Sequence, residues 1–162
     1  MPIELVRIDD RLIHGQIVQG WLKIIHINKI VVISDAVVND QMQRMLLTMA
    51  VPSNIELEIK TVSDASKDAL NGNYDKSSTM LLFSNPSDVL AVIESGVDIK
   101  SVNVGGMHFT NGKRQLLCNL SVDDNDVEAL SKIYRKGIEI EGRVLPSDER
   151  IDLFNIIERE RR

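Results

Sequence analysis

The chain has 162 residues, a single cysteine and a net charge of −5 at neutral pH. That length suits one domain with its own core, and one cysteine excludes an intrachain disulfide. Acidic and basic residues are mixed along the chain, so there is no electrostatic footprint for nucleic acid. No apolar run approaches the ~20 residues of a membrane span, and charges at Glu4, Arg7, Asp9, Asp10 and Arg11 interrupt any signal-peptide core, so direct membrane insertion is not expected.

In chain order, the apolar run 3–8 reads as a strand buried on one or both faces. A turn follows. From there Ile17, Val18, Trp21, Leu22 and Ile25 recur at helical spacing, with Gln16, Gln19, Lys23 and a solvent-facing His26 between them. Short apolar or β-branched runs at 30–34, 55–60, 79–83 and 101–104 predict further strands, and amphipathic segments at 40–49, 63–70 and 87–95 predict the helices between them. Trp21, Met42, Met45 and Met49 are assigned to helical core faces.

Segments 107–109 and 114–118 flank Thr110-Asn111-Gly112-Lys113, whose Asn-Gly pair is a hairpin signal. Cys118, among leucines, is expected to be buried or half-buried, compatible with a reducing compartment. Ser121 or Asp123 can cap a helix running to Arg135, Gly137 can stop it, 138–144 can return as a strand, and Ser147 can open a last helix with a frayed, solvated end. Strands alternating with helices in this way predict an α/β fold: a single open, mostly parallel twisted sheet, helices on both faces, and an antiparallel element towards the C-terminus. No linker, repeat or low-complexity tract divides residues 1–162.

Chemistry concentrates at Arg7-Ile8-Asp9-Asp10-Arg11-Leu12-Ile13-His14-Gly15-Gln16, where strand meets helix. A His-Gly pair is a poor helix cap and a poor first turn, so stability does not account for it. Unpaired N–H groups and the helix dipole favour an anion there, Gly15 lets a ligand approach the backbone, and Arg11 offers a planar charged fork for phosphate oxygens. Within this cradle the His14 imidazole is a nucleophile with an uncharged nitrogen available near neutral pH. The pattern points to a phosphohistidine. The plainer readings are a solvated loop histidine and a surface Asp10–Arg11 ion pair of little consequence to stability.

The run Val6-Arg7-Ile8-Asp9-Asp10-Arg11-Leu12-Ile13-His14-Gly15-Gln16-Ile17 resembles the active-site signature of the IIB components of the mannose/fructose/sorbose family of sugar phosphotransferase systems. Segments 32–36, 46–52, 80–86, 101–107 and 121–124 are similar to that family in the same order, so the resemblance covers nearly the whole chain. It implies that His14 accepts a phosphoryl group, at Nδ1, from a phosphohistidine on a IIA protein and passes it to a sugar entering through the membrane IIC/IID permease. It places Arg11 beside the phosphoryl group, with backbone donors from the loop around Leu12, Ile13 and Gly15. Asp10 is grouped with the catalytic residues, orienting Arg11 or the imidazole, or else holding the loop in shape; Arg7 and Asp9 match the motif with a structural or a functional role.

The chain starts directly on the IIB signature, a departure from family members that carry a fused IIA domain, so a single IIB domain with a separate donor is expected. Three histidines without nearby cysteines or clustered carboxylates predict no metal site, and no cofactor is expected. The resemblance implies a cytoplasmic protein associated peripherally with the membrane through the permease. A docking face around His14 is expected, with Leu12 and Ile13 as its apolar centre. The sugar stays open, and a monomer or weak dimer is expected. Ser34-Asp35, Ser84-Asn85 and Gly105-Gly106 are candidates for the rim that carries His14, each reading equally as an ordinary turn or cap. His108 reads as a structural or contact residue. Two rival functions remain: acid/base chemistry by His14 and Asp10 on a bound metabolite, and an anion-binding module that is never phosphorylated.

Overall fold

A computed structural model describes residues 3–161. Among the described residues nine strands and seven α-helices follow one another as β1 (Ile3–Asp9), a π-helical segment (Gln16–Trp21) running into α1 (Leu22–Ile24), β2 (Lys29–Ile33), α2 (Asp35–Val38), α3 (Gln41–Ala50), β3 (Glu56–Lys60), α4 (Val62–Leu70), β4 (Thr79–Phe83), α5 (Pro86–Glu94), β5 (Ser101–Gly106), β6 (Arg114–Leu117), β7 (Leu120–Val122), α6 (Asp124–Arg135), β8 (Glu139–Gly142), β9 (Ile151–Asp152) and α7 (Phe154–Glu160). Seven strands form one sheet in the order β3-β2-β4-β1-β5-β8-β9. Every pairing in it is parallel except β8 with β9.

Strand alternation divides the core. Val6 and Ile8 of β1, Val31 and Ile33 of β2, and Leu81 and Phe83 of β4 pack with Val89, Leu130 and Ile133 of the helices on one face. Ile30, Val32, Met80 and Leu82 face the other way, against Leu12, Ile13, Ile17, Trp21 and Leu47. The same alternation puts Arg7 and Asp9 on the second face, the one that carries the loop after β1 and the π-helical segment. A two-residue period thus selects which charged side chains the loop can meet.

Local sequence explains most boundaries. Asp40, Thr61 and Asn85 each accept a hydrogen bond from the backbone three residues on and open α3, α4 and α5, with Pro86 at the first turn of α5. Asp123, rather than Ser121, opens α6 through a reciprocal pair: its carboxylate accepts from the Asp126 N–H at 2.8 Å while its own N–H donates to Asp126 at 3.1 Å. Gly137, at φ 85°, ends the turn that follows α6.

Four expectations are corrected. The antiparallel hairpin lies one turn later than predicted, because β6 pairs with β7 across Cys118-Asn119. Thr110–Lys113 forms a closed turn, with the Lys113 N–H donating to the Thr110 carbonyl at 3.1 Å, but it joins no paired strands. Cys118 sits in the true hairpin turn and its thiol is exposed. Ser147 opens no helix; the chain adds β9 first, and α7 starts at Phe154. Met42, Met45 and Met49 face solvent, at 69, 56 and 75 % exposure, because α3 buries only Leu47. Trp21 and His26 lie as expected, buried and exposed respectively. No helix among the described residues is long and apolar enough to cross a membrane.

Candidate functional site

β1 ends at Asp9, and the loop that follows carries His14 at the carboxyl end of the sheet, where open parallel sheets hold their ligands. Leu12 holds the loop in place. Its φ of 60° puts a non-glycine residue in the left-handed region, roughly 1–3 kcal/mol uphill. Burial of its side chain to 1 % exposure and an N–H bond to the Asp9 carbonyl at 2.9 Å offset that strain. Ile13 is buried beside it at 6 %. Leu12 and Ile13 therefore anchor the loop into the core and cannot form the apolar centre of a docking face, and the Leu12 N–H, satisfied internally, is not a donor for a ligand.

Winding starts at His14 itself, whose carbonyl accepts from Ile17 at 3.0 Å and Val18 at 3.1 Å. No side chain caps this start. The amides of Ile13, His14 and Gly15 have no acceptor among the described residues and remain available to an anion.

The ring of His14, with 10 % of its side chain exposed, is held by a buried carboxylate: Nε2 lies 2.8 Å from Asp9 Oδ2. Burial pushes the Asp9 pKa up, but the hydrogen bond from His14 and the charge of Arg7 outweigh it and hold Asp9 below its ordinary value. An ionised carboxylate only accepts, so Nε2 carries the hydrogen and donates it. In the neutral ring the lone pair is then on Nδ1. Among the described residues only the Gln16 N–H donates to it, at a long 3.4 Å.

Asp9 is in turn fixed by two more donors. Arg7 Nη2 donates to Oδ2 at 3.0 Å and the Arg11 N–H to Oδ1 at 3.1 Å. Arg7 is fully buried, which lowers its pKa, yet its terminal nitrogens are matched: Nη1 donates to Asn103 Oδ1 at 2.6 Å and the Arg143 carbonyl at 3.0 Å, Nη2 also to the Val144 carbonyl at 3.1 Å. Gly105 makes room for it, since a Cβ there would lie 1.9 Å from Arg7 Nη2.

The Arg11 side chain is exposed and makes no ion pair or side-chain hydrogen bond among the described residues, leaving its guanidinium free to reach an anion. Asp10 turns away from His14. Its carboxylate accepts the His108 N–H at 2.7 Å and pairs with His108 Nδ1 at 2.5 Å, while its own N–H donates to the Gly106 carbonyl at 3.0 Å. Of the alternatives open for Asp10, this geometry favours holding the loop to the end of β5 over orienting the imidazole, and it makes His108 a contact of Asp10.

Among the rim candidates, the glycine pair touches the site, Gly105 against Arg7 and Gly106 against Asp9, and Ser84 follows Phe83, which pairs with Ile8 on the neighbouring strand. Ser34 accepts from Val37 at the start of α2, Asp35 accepts the Val62 N–H, and Asn85 caps α5. Beside His14 runs a groove of about 520 Å³ lined by Gly15, Gln16, Gln19, Lys23, Leu145 and Pro146. The carboxylate partner of the ring was only one of two adjacent aspartates in sequence; strand parity, which points Asp9 to the loop's face, was the signal that separates them.

A sequence model of the family described as "PTS system sorbose subfamily IIB component" matches residues 3–162. The chain is 43 % identical over 157 residues to a "PTS system fructose-specific EIIB component" of Bacillus subtilis, covering 97 % of this chain and 96 % of that protein. It is 41 % identical over 157 residues to the "PTS system mannose-specific EIIAB component" of Escherichia coli, covering 97 % of this chain but 49 % of that protein. The crystal structure of the IIBSor domain of the sorbose permease from Klebsiella pneumoniae superposes with a TM-score of 0.92 at 35 % identity, covering 98 % of each chain. Family model, relatives and fold agree over the full length of the site and its supports: the chain belongs to the sorbose-type IIB components of the mannose/fructose/sorbose family of sugar phosphotransferase systems.

Proposed function

We propose that the protein is a phosphoryl carrier, taking a phosphoryl group on His14 Nδ1 from the phosphohistidine of a IIA protein and giving it to a sugar delivered by the membrane IIC/IID permease. The observation that carries this reading is the Asp9–His14 bond at 2.8 Å, which ties Nε2 down and leaves Nδ1 as the nucleophile. In the first step the Nδ1 lone pair forms an N–P bond as the donor's N–P bond breaks, the donor ring keeping the electron pair. In the second, a sugar hydroxyl oxygen attacks, its proton leaves to solvent, and Nδ1 recovers its lone pair.

Positioning and charge stabilisation are what such a transfer asks of the protein. Arg11 and the amides of Ile13, His14 and Gly15 meet the phosphoryl oxygens. Asp9 stabilises the positive charge that the ring acquires on phosphorylation, as a buried carboxylate does for an imidazolium. The chain acts as a IIB domain on the cytoplasmic side of the membrane, held there through the permease.

The test is phosphoryl transfer from phosphoenolpyruvate through the general phosphotransferase proteins and a IIA protein of this family. Acid-labile label mapping to the peptide that contains His14 supports the relay. No label from a donor competent towards another IIB protein overturns it in favour of simple anion binding.

A further inference from the structure

Arg7, Asn103 and Glu141 stand side by side on three neighbouring strands. The registers pair Arg7 of β1 with Asn103 of β5, and Asn103 with Glu141 of β8. All three are buried, at 0, 2 and 3 % exposure, in a sheet whose remaining inward positions are largely apolar. A polar row of this kind is costly unless every member is matched. The matching here runs in one direction and leaves Arg7 Nε as the one buried nitrogen of the row without a partner among the described residues. Arg143 donates to both Glu141 oxygens at 3.0 Å, Asn103 Nδ2 donates to Glu141 Oε1 at 3.0 Å, Arg7 donates to Asn103 Oδ1, and Arg7 and His14 both donate to Asp9.

The orientation of the Asn103 amide follows from its neighbours. Glu141 can only accept and Arg7 can only donate, so Nδ2 must face β8 and Oδ1 must face β1. Trp21 closes the row from above: its ring centroid lies 5.1 Å from the Arg7 guanidinium and 5.0 Å from that of Arg143, and its Nε1–H donates to the Val144 carbonyl at 2.9 Å. With Nη1 held by Asn103, Nη2 of Arg7 is left aimed at Asp9.

We infer that Asn103 and Glu141 are positioning residues for the phosphoryl relay, acting through Arg7 and Asp9 to keep the His14 ring in its Nε2–H tautomer. The inference rests on the relay reading of His14. Neither residue touches the ring; the row transmits orientation, fixing which carboxylate oxygen His14 meets and keeping that carboxylate ionised. Removing the outer partners of metal-bound histidines typically costs about ten- to a hundredfold in affinity or activity, and the same scale is expected by analogy for this relay.

The experiment compares wild type, Asn103→Leu and Glu141→Gln in two readouts: the ring ¹⁵N signals of His14 in the unphosphorylated protein, and the rate of phosphorylation by the IIA donor. Asn103→Leu is expected to shift the ring signals from the Nε2–H pattern towards a mixture of tautomers, and to slow phosphorylation at least about tenfold with the label still on His14. Glu141→Gln keeps the shape and an acceptor oxygen, and is expected to change both readouts in the same direction but less; it carries the test where Asn103→Leu does not fold. A folded variant with wild-type ring signals and a wild-type rate overturns the inference. Absence of label on His14 in the wild-type protein overturns the relay reading instead, and the ring signals, which need no donor, tell the two failures apart.

Discussion

His14 Nε2 and Asp9 Oδ2 lie 2.8 Å apart, and the carboxylate in that bond is ionised, buried to 1 % side-chain exposure and shared with Arg7. One edge of the imidazole is thereby committed to Asp9, while at the other Nδ1 meets only the long contact from the Gln16 N–H at 3.4 Å among the described residues. Asp9→Asn removes the fixed acceptor and lets the amide meet either ring nitrogen. By analogy with catalytic carboxylate–histidine pairs, where the corresponding change costs up to about 10⁴-fold, phosphorylation of Asp9→Asn is expected to fall by two or more orders of magnitude. Initial rates of label transfer check this, at a temperature where circular dichroism shows an intact fold. Breaking a buried pair destabilises by roughly 3–5 kcal/mol, so the folding control belongs to the experiment.

Arg11 offers a contrast, because its side chain is exposed and bonded to nothing among the described residues. Arg11→Ala is expected to leave stability within about 0.5 kcal/mol of wild type, as for surface substitutions generally. Phosphoryl transfer should slow by about a hundredfold or more, the scale for loss of one donor to developing charge. Parallel chemical denaturation and transfer kinetics separate the two effects; a loss of stability as large as the loss of rate would make Arg11 structural.

Gly105 tests the same architecture from the sheet side. A methyl group there would lie 1.9 Å from Arg7 Nη2 and 2.0 Å from its Cζ, and the guanidinium is held in that space by its bonds to Asp9, Asn103 and two backbone carbonyls. Gly105→Ala is expected to displace the guanidinium, with overpacking costing ~1–3 kcal/mol and loss of the Arg7–Asp9 pair raising the total towards ~3–5 kcal/mol. Urea unfolding measures this. An unperturbed midpoint would mean that Arg7 does not occupy the space against β5.

The stability of the protein in acid follows from Asp9. Burial raises its pKa, but the bond from His14 and the charge of Arg7 bring the net value below the ordinary one. A carboxylate depressed in the folded state contributes stability that is present above its unfolded pKa of about 3.9 and is lost as pH falls through the lower folded value. Thermal midpoints recorded from neutral pH downwards should therefore drop more steeply below about pH 4 in wild type than in Asp9→Asn. Identical acid limbs in the two proteins would contradict the assignment.

Much of the fold was legible because buried parallel strands are short apolar runs and the helices between them carry their own start signals. The strand predicted at 79–83 coincides with β4, and Asn85-Pro86 marked the start of α5. The hairpin was misplaced because the Asn111-Gly112 turn is stronger locally than Cys118-Asn119, while the pairing of β6 with β7 is decided by burial of Leu120 and Val122. On α3, helical periodicity located an apolar stripe but not its direction, and the stripe of Met42, Met45 and Met49 faces out.

At the candidate site, the proposal of His14 and Arg11 came from their chemistry. Asp9 and Asp10 were not separable by type, only by the face of β1 each occupies. Asn103 and Glu141 were missed, although each is a lone polar residue between buried neighbours in a strand: Val102 and Val104 in one case, Ile140 and Gly142 in the other. Arg143 lies only two residues from Glu141, but the bonds that join the row across strands, Arg7 to Asn103 and Asn103 to Glu141, span 96 and 38 residues, a separation that no local pattern encodes.

The most direct measurement is ³¹P and ¹⁵N spectroscopy of the protein after phosphorylation by a IIA donor, with the imidazole nitrogens labelled. Phosphorus bonded to Nδ1 of His14, with Nε2 still protonated and shielded by Asp9, is the result this account predicts. Phosphorus on Nε2, the nitrogen that Asp9 holds, would contradict it.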